Sequence, residues 1–451
     1  MAMGRQKPQQ SELWIATQEL PTSPGHPFYH KLNALLGAAG FDRFAEELCA
    51  PHYAEHMGRP SIPPGVYFRM LLIGYFEGLD SQRGIAWRCS DSRSLQEFLG
   101  YLPTQTTPDH SSLTVIRQRL PEVVHEQVFA WVLGLAHKKK LLAGKTVATD
   151  ATFLEANAAM KSIERKDTGE DYKAYLKRLA KEAGIEEPTD EELRRFDKKR
   201  PDKKVSNEEW QSRTDHDSRI TKMKDGTTHL GYKAEHVVDL ESNLILAAEI
   251  YHADEGDPAT LLPSVATAQL NLLRAGSETE IANVAADKGY HKAATLAECE
   301  QAGWRTYIPE TKRHARHRWE DKPPSHEAAF RANRRRVKGA RSKRLQRLRS
   351  ELVERTFAHV CETGGARRSW LRGIEKVSKR YLMQATAHNL GLLMRKLFGM
   401  GTPRGLQSPR SGLALWFSML MRLWFIPVAE PWRRGKPRRF DFQSAVLHHA
   451  A

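Results

Sequence analysis

The sequence predicts a mixed α/β domain preceded by an all-helical segment. A β-branched, apolar run at residues 146–149 has the content of a buried strand. Two further strand-like segments flank the turn-forming residues 241–243 and predict a hairpin. Beyond residue 258, helical patterns alternate with two short strands. The order strand, hairpin, helix, strand, helix, strand, helix is typical of a mixed sheet flanked by helices.

Residues 1–143 form the helical segment. Pro64 opens a helix that is apolar nearly all round, and Asp109 caps a later one. We expect that later helix to expose Arg117 and Arg119, as the recognition helix of a helix-turn-helix module exposes its basic side chains. The segment is therefore predicted to be a DNA-binding domain in which these two arginines contact DNA. The alternative is a helical packing or dimerisation domain.

Residues 144–400 are expected to hold the sheet, with a charged, helical insertion at about 158–224 after the first strand. Residues 331–349 carry ten arginines or lysines and no acid, which indicates either a solvated basic loop or a segment that contacts phosphate. Residues 401–451 are rich in Pro, Gly and Arg and are expected to form a basic, weakly ordered tail. The apolar segment at 413–428 is too short for a bilayer span, so no membrane association is expected.

The whole-chain composition favours a polyanionic partner. The chain has 451 residues and a formal net charge of +16, and Lys and Arg gain counterion-release free energy on phosphate. The four cysteines are too far apart to form a zinc knuckle or a disulfide framework, and no signal-peptide pattern is found. We therefore expect a cytoplasmic protein that binds double-stranded DNA.

Three carboxylates in different local settings carry the chemistry. Asp150 follows the first apolar strand, Asp287 follows a second one, and Glu354 lies in a helical pattern. Two strand-end aspartates and a helical glutamate are the arrangement that holds a pair of Mg²⁺ ions for phosphodiester chemistry. The competing acids are Glu351, one turn from Glu354, and Asp254 and Asp257 in a loop.

Two divalent cations that lie about 4 Å apart need negative charge between them. Asp150, on the central strand, is the natural bridging ligand, while Asp287 and Glu354 each hold one metal. Mg²⁺ prefers hard oxygen ligands and keeps several waters, so no His or Cys is required. The pattern predicts an enzyme that cuts and joins DNA, with water and then a DNA 3′-hydroxyl as the attacking group.

The chain resembles the DDE transposases of bacterial insertion sequences. The resemblance covers about residues 41–397 and rests on VATD at 147–150, EAN at 155–157, LGYKAEHVVD at 230–239, ADKGYH at 286–291, VERTFAH at 353–359 and AHNLGLL at 387–393, with TPDHSSLT at 107–114 in the helical segment. It implies an RNase H-like catalytic core, a helical DNA-binding domain and two Mg²⁺ ions, for which Mn²⁺ can substitute. It also implies that Asp150, Asp287 and Glu354 are the catalytic triad and that terminal inverted repeats are the substrate.

One departure concerns the third carboxylate. Many relatives carry Tyr, Arg and Lys at seven before, four before and seven after the glutamate, where this chain has Arg347, Ser350 and Cys361. Arg347 keeps a phosphate-binding charge, but it also lies four residues before Glu351. That spacing alone favours Glu351, whereas the Val-Glu-Arg-Thr-Phe context favours Glu354.

Three other basic residues are candidate DNA contacts. Lys233 lies on the strand next to that of Asp150, Lys288 follows Asp287, and Arg372 precedes the last helix. Each has the simpler interpretation of a solvated loop or strand-end residue.

The leading hypothesis is a transposase that acts as a homodimer or larger assembly on DNA. It would cut element ends and join the 3′-hydroxyls to target DNA. The first alternative is a catalytically inactive or domesticated DNA-binding protein derived from a transposase. The second is a metal-dependent nuclease that lacks strand transfer.

Overall fold

The computed structural model describes residues 24–54, 58, 61–200, 205–223, 225–311 and 319–406. Its described residues up to Gly405 form one compact unit. None of the described helices is long and apolar enough to cross a bilayer. From residue 407 onward, the predicted basic tail lies outside the described residues.

The N-terminal part is helical, as predicted. Its helices are α1 (Pro27–Ala38), α2 (Phe41–Cys49), α3 (Pro64–Glu77), α4 (Gln82–Asp91), α5 (Arg93–Phe98), α6 (His110–Arg119) and α7 (Glu122–Lys138). Pro64 is the first residue of α3, which is buried on nearly all sides. The Asp109 carboxylate accepts a hydrogen bond from the Ser111 amide at 2.9 Å, which caps α6 as the sequence predicts.

The strands form one main sheet and one small sheet. They are β1 (Thr146–Glu155), β2 (Ile163–Arg165), β3 (Trp210–Ser212), β4 (Arg219–Lys222), β5 (Thr228–Asp239), β6 (Ile245–His252), β7 (Asn283–Ala286) and β8 (Arg305–Tyr307). In the main sheet the order is β4–β5–β1–β7–β8, and β6 also pairs with β5. β5 is antiparallel to β1, β4 and β6, whereas β7 and β8 continue the sheet in parallel. This mixed sheet with covering helices is the RNase H-like fold that was expected.

The remaining helices follow the strands. They are α8 (Tyr172–Glu182), α9 (Asp190–Lys199), α10 (Asp257–Arg274), α11 (Ala293–Gln301), α12 (Pro324–Val337), α13 (Ala340–Phe357) and α14 (Ile374–Phe398), and a π-helical segment, Ala358–Thr363, extends α13. α13 packs on β1 and β7, while α10 and α14 pack on β6. α14 also packs on α3 and α7, so it joins the N-terminal helices to the sheet.

Two regions differ from the sequence-based expectations. The basic run at residues 331–349 is not a loop, because it belongs to α12 and α13. Between β1 and β5 the chain adds the small β2–β3 sheet to the predicted helix, and α8 and α9 pack together through Leu176, Ala180 and Leu193. β4 links this region to the main sheet by pairing with the start of β5.

Candidate active site

Two of the three predicted carboxylates lie side by side on neighbouring strands. β1 and β7 run parallel with Thr149 opposite Ala286, and Asp150 and Asp287 are the next residue on each. The expectation that Asp150 closes its strand is wrong, because β1 continues to Glu155 and stays paired with β5. Asp287 directly follows β7. The parallel register therefore places both carboxylates at the same level of the sheet.

Arg349 of α13 lies between these carboxylates. Its Nη1 donates to Oδ2 of Asp150, and its Nη2 is 3.9 Å from Oδ1 of Asp287. The Arg349 side chain is only 12% exposed. Its guanidinium therefore lies against both aspartates. In the sequence, Arg349 is distinguished only as part of the basic run at residues 331–349.

Contacts on either side of Arg349 hold α13 against the sheet. The Gln346 side-chain amide donates to the carbonyl oxygens of Ala286 (3.2 Å) and Tyr307 (2.6 Å). Two turns beyond Arg349, a 2.8 Å hydrogen bond joins Thr356 Oγ1 and His236 Nδ1. His236 is opposite Asp150 in the β1–β5 register, and directly opposite residues share a face of the sheet. α13 therefore covers the face from which Asp150 projects.

The surroundings of Asp150 favour a bound cation. Burial is the largest influence and raises the pKa of its carboxyl group, and the nearby charges of Asp287 and Asp257 raise the pKa further. Arg349 and the hydrogen bond from the Ala151 amide, at 2.9 Å, act in the opposite direction. The charges of neighbouring carboxylates thus disfavour ionisation of Asp150, and positive charge beside it favours ionisation.

Glu354 is not brought to the two aspartates. Its side chain is exposed and accepts a hydrogen bond from Ser350 Oγ at 2.9 Å. Glu354 follows Arg349 by five residues, which is about 140° around a helix axis and about 7.5 Å along it. The competitor Glu351 is also exposed and pairs with Arg355 at 2.7 Å. Both glutamates lie near the site along α13, but neither points into it.

The donor set suits a hard divalent cation, although it is incomplete. Asp150 and Asp287 offer the carboxylate oxygens that Mg²⁺ prefers, and the Arg349 guanidinium already places positive charge between them. Among the described residues, no group of three or more His, Cys, Asp or Glu side chains is arranged to hold a metal ion. The structure thus brings together two of the three predicted carboxylates, Asp150 and Asp287.

Lys233 does not face the site, contrary to expectation. It lies an odd number of residues from His236, so it projects from the opposite face of β5. There its ammonium lies 2.8 Å from Oδ1 of Asp257 and 3.5 Å from Oε2 of Glu235, and it donates to Thr260 Oγ1 at 2.8 Å. Lys233 is a buried ion-pair residue, which makes a direct DNA contact untenable. The other competing acid of that loop, Asp254, lies 3.8 Å from Arg219.

The two arginines of α6 differ in exposure. Arg119 is exposed and lies over the ring of Tyr53, 4.7 Å from its centroid. Arg117 is only 9% exposed, so the expectation that α6 displays both arginines is wrong. The reason is periodicity, because Arg117 follows Leu113 by four residues and is adjacent to Ile116 on the buried stripe.

Lys288, Arg347 and Arg372 are exposed and remain candidate DNA contacts. The backbone N–H group that follows Arg372 is already occupied, since Gly373 N donates to Asp215 Oδ1 at 2.9 Å. Any anion binding at that turn therefore depends on the Arg372 side chain itself.

Comparisons with known proteins agree on one kind of protein. A family model described as a transposase domain (DUF772) matches residues 17–119. A second, described as a transposase DDE domain, matches residues 201–390. No curated protein and no solved structure matches the chain. Asp287 and Glu354 fall within the second range, whereas Asp150 lies between the two ranges.

Proposed function

This chain belongs to the DDE transposases of insertion sequences, and we propose that it cleaves the terminal inverted repeats of its element and joins the freed 3′-hydroxyls to target DNA. The observation that carries the proposal is the convergence of Asp150 and Asp287, from adjacent parallel strands, on one cationic group. Carboxylates arranged in this way bind Mg²⁺ readily, and Mn²⁺ offers the same ligand preferences.

Asp150, Asp287 and Glu354 would hold the two metal ions. Bound divalent cations supply activation of the attacking oxygen and stabilisation of the leaving oxygen. Arg349 places one positive charge against the two carboxylates, of which Asp150 is 25% and Asp287 47% exposed. For Glu354 to join them, α13 or the side chains around it must rearrange, because its carboxylate now bonds to Ser350.

The exposed basic residues would hold the DNA near this site. Lys288 directly follows Asp287, and Arg347 lies on the same helix as Arg349. Along α12 and α13, Arg335, Lys338, Lys343 and Arg344 are exposed as well. Such a surface binds phosphates without regard to sequence. We propose that a homodimer or larger assembly aligns two element ends on these surfaces.

A second candidate is a transposase-derived protein that binds DNA but does not cut it. The outward orientation of Glu354 is the observation in its favour. The two candidates predict the same affinity for element ends and differ in metal-dependent cleavage.

The test is cleavage and joining of a duplex that carries the element's own ends, with Mg²⁺ or Mn²⁺. We expect Asp150→Asn and Asp287→Asn to abolish both steps while the affinity for DNA stays unchanged, because Lys and Arg dominate binding. Glu354→Gln is expected to behave in the same way, with Glu351→Gln as its matched control on the same helix.

Full activity of Asp150→Asn would refute the proposal. If the wild-type protein binds the ends tightly but never cuts them, it is the transposase-derived DNA-binding protein. If it cuts the ends without joining them, it is a nuclease. If Glu351→Gln is inactive and Glu354→Gln is active, the third carboxylate is Glu351.

A further inference from the structure

A cavity of about 290 Å³ lies between the N-terminal helices and α14, away from the carboxylates. Its wall comes from α3, α4 and α6 on one side, and from α14 with the preceding loop on the other. The volume is near the lower end of the range for small-molecule sites. The cavity therefore has room for a ligand of modest size.

Arg117 is a buried cation with an unused donor in this wall. It is 9% exposed, and its Nε has no hydrogen-bond partner among the described residues. Burial lowers the pKa of its guanidinium. Lys379, also buried, donates to the Arg117 carbonyl oxygen at 3.3 Å, which brings a second positive charge to the same wall. A buried charge without a counter-ion is strongly unfavourable, so this site should attract an anion.

The other charges of the wall do not place a carboxylate against Arg117. Of the described residues that line the cavity, Asp80 is the one acid, and it accepts a hydrogen bond from Trp370 Nε1 at 2.8 Å. Arg380 also lines the cavity, and burial lowers its pKa to about 10. Lys379 is paired with Glu375 outside the cavity lining. Arg380 donates to the Gly365 carbonyl oxygen at 3.0 Å and is influenced by the charge of Asp80, but among the described residues neither Arg117 nor Arg380 has a carboxylate in hydrogen-bond contact.

The rest of the wall is apolar and aromatic. The hydroxyl group of Tyr67 hydrogen-bonds to His125 at 3.2 Å, and that of Tyr75 hydrogen-bonds to His388 at 3.2 Å. Tyr67 is fully buried and Tyr75 is 5% exposed, so both residues form closely packed wall behind the cavity. Trp370 is 47% exposed and adds an accessible aromatic ring. An exposed aromatic ring of this kind accepts a planar base by stacking.

We propose that this cavity binds a nucleotide, with its phosphate at Arg117 and Arg380 and its base against the exposed ring of Trp370. The site goes beyond the proposed cleavage chemistry and needs no metal. The loop that carries Trp370 is tied to the end of β1, since Ser369 N donates to the Glu155 carbonyl at 2.9 Å. Glu155 is five residues beyond Asp150, about 17 Å along a strand. A nucleotide of bound DNA or a free mononucleotide could therefore occupy the site.

The test uses the full chain in EDTA, so that the metal site makes no contribution. Binding of dAMP, deoxyadenosine and inorganic phosphate is measured by equilibrium dialysis and by thermal shift. We expect dAMP to bind more tightly than either fragment, and Arg117→Met to weaken its binding at least tenfold. Without ligand, Arg117→Met should melt no lower than the wild type, because it removes an unpaired buried charge. Arg43→Met, which removes an exposed arginine of α2, is the charge-matched control.

The assignment is overturned if dAMP does not bind, if phosphate alone binds as tightly, or if Arg117→Met retains the wild-type affinity. If Arg117→Met fails to fold, Arg380→Met provides the same test. A DNA duplex containing 2-aminopurine identifies the source of the nucleotide. If 2-aminopurine emission rises when the wild type binds the duplex but not when Arg117→Met binds it, the site takes a base turned out of DNA. If the emission is unchanged although dAMP still binds, the site takes a free mononucleotide. Because no metal is present, failure here leaves the cleavage proposal untouched, and failure of cleavage leaves this site untouched.

Discussion

Replacing Arg349 by methionine is expected to destabilise the metal-free protein and to tighten its binding of divalent cations. The guanidinium contacts Asp150 and lies 3.9 Å from Asp287, and its removal leaves two adjacent carboxylates without a counter-charge. Breaking a fully buried pair costs about 3–5 kcal/mol and breaking an exposed one about 1 kcal/mol or less. The Arg349 and Asp150 side chains are 12% and 25% exposed, so an intermediate loss is expected, about 2 kcal/mol.

The free energy lost when Arg349 is removed should appear as tighter binding of a divalent cation. A divalent cation must displace Arg349 from the wild-type carboxylates, whereas in Arg349→Met the position is already open. A difference of about 2 kcal/mol corresponds to binding that is roughly 30-fold tighter. The expected outcome is therefore lower stability without metal and a larger gain in stability when Mn²⁺ is added.

Urea unfolding with and without Mn²⁺, and Mn²⁺ titration followed by water-proton relaxation, measure the two effects. Arg347→Met is the matched control, because it removes an exposed arginine from the same helix and should change neither quantity. If Arg349→Met binds Mn²⁺ no more tightly than the wild type, the guanidinium does not occupy the cation position and the reasoning fails. Weaker binding would show that Arg349 helps to retain the metal, which also contradicts it.

Three further outcomes follow from the described contacts. Lys233→Met should lower the free energy of unfolding by about 3–5 kcal/mol, because it leaves the fully buried Glu235 without its positive partner. The affinity for DNA should stay constant, and a folded variant that binds DNA more weakly would contradict this. Burial and neighbouring glutamates raise the pKa of Glu249 to about 7, so the contribution of this group to stability is complete below pH 4.5 and is lost as the pH rises through 7. Glu249→Gln should remove that decline, which amounts to roughly 3 kcal/mol at pH 8, and an unchanged pH profile of urea unfolding would refute the assignment. Removing both Lys288 and Arg347 should weaken DNA binding and lower the salt dependence by about two phosphate contacts, and an unaltered salt slope would exclude them from the interface.

The sequence predicted most of the architecture because its signals were local. The β5–β6 hairpin follows from two apolar segments around a turn, where Asn243 adopts a φ of 67°. The convergence of Asp150 and Asp287 also follows from local patterns, since both residues come directly after apolar runs that pair in parallel. The RNase H-like order of strands needed the resemblance in addition to the residues.

Three basic residues, Arg349, Arg117 and Lys233, have positions that differ from the sequence-based expectation for one reason. Their positions depend on the periodicity of the helix or strand, which the local composition does not reveal. Arg349 belongs to the inward stripe of α13 with Leu345 and Leu352, but it was counted only as one cation of a basic run. Arg117 lies on the buried stripe of α6 in the same way. Lys233 is at the wrong parity along β5 to share a face with His236.

Other features had no sequence signal that could have found them. The nucleotide cavity brings together residues from 67 to 384, and its shape depends on how α14 packs between the N-terminal helices and the sheet. The orientation of Glu354 depends on the rotation of α13 about its axis, which the contacts of Gln346 and Thr356 determine. Such packing is set by many distant side chains at once.

The position of β1 in the middle of the sheet affects how this protein can be divided. A fragment cut to the matched range 201–390 begins downstream of β1 and so lacks the strand that pairs with both β5 and β7. Each of those strands would then present a row of unsatisfied N–H and C=O groups, which readily pair with other chains. Such a fragment is expected to aggregate, and soluble truncations should start upstream of Thr146.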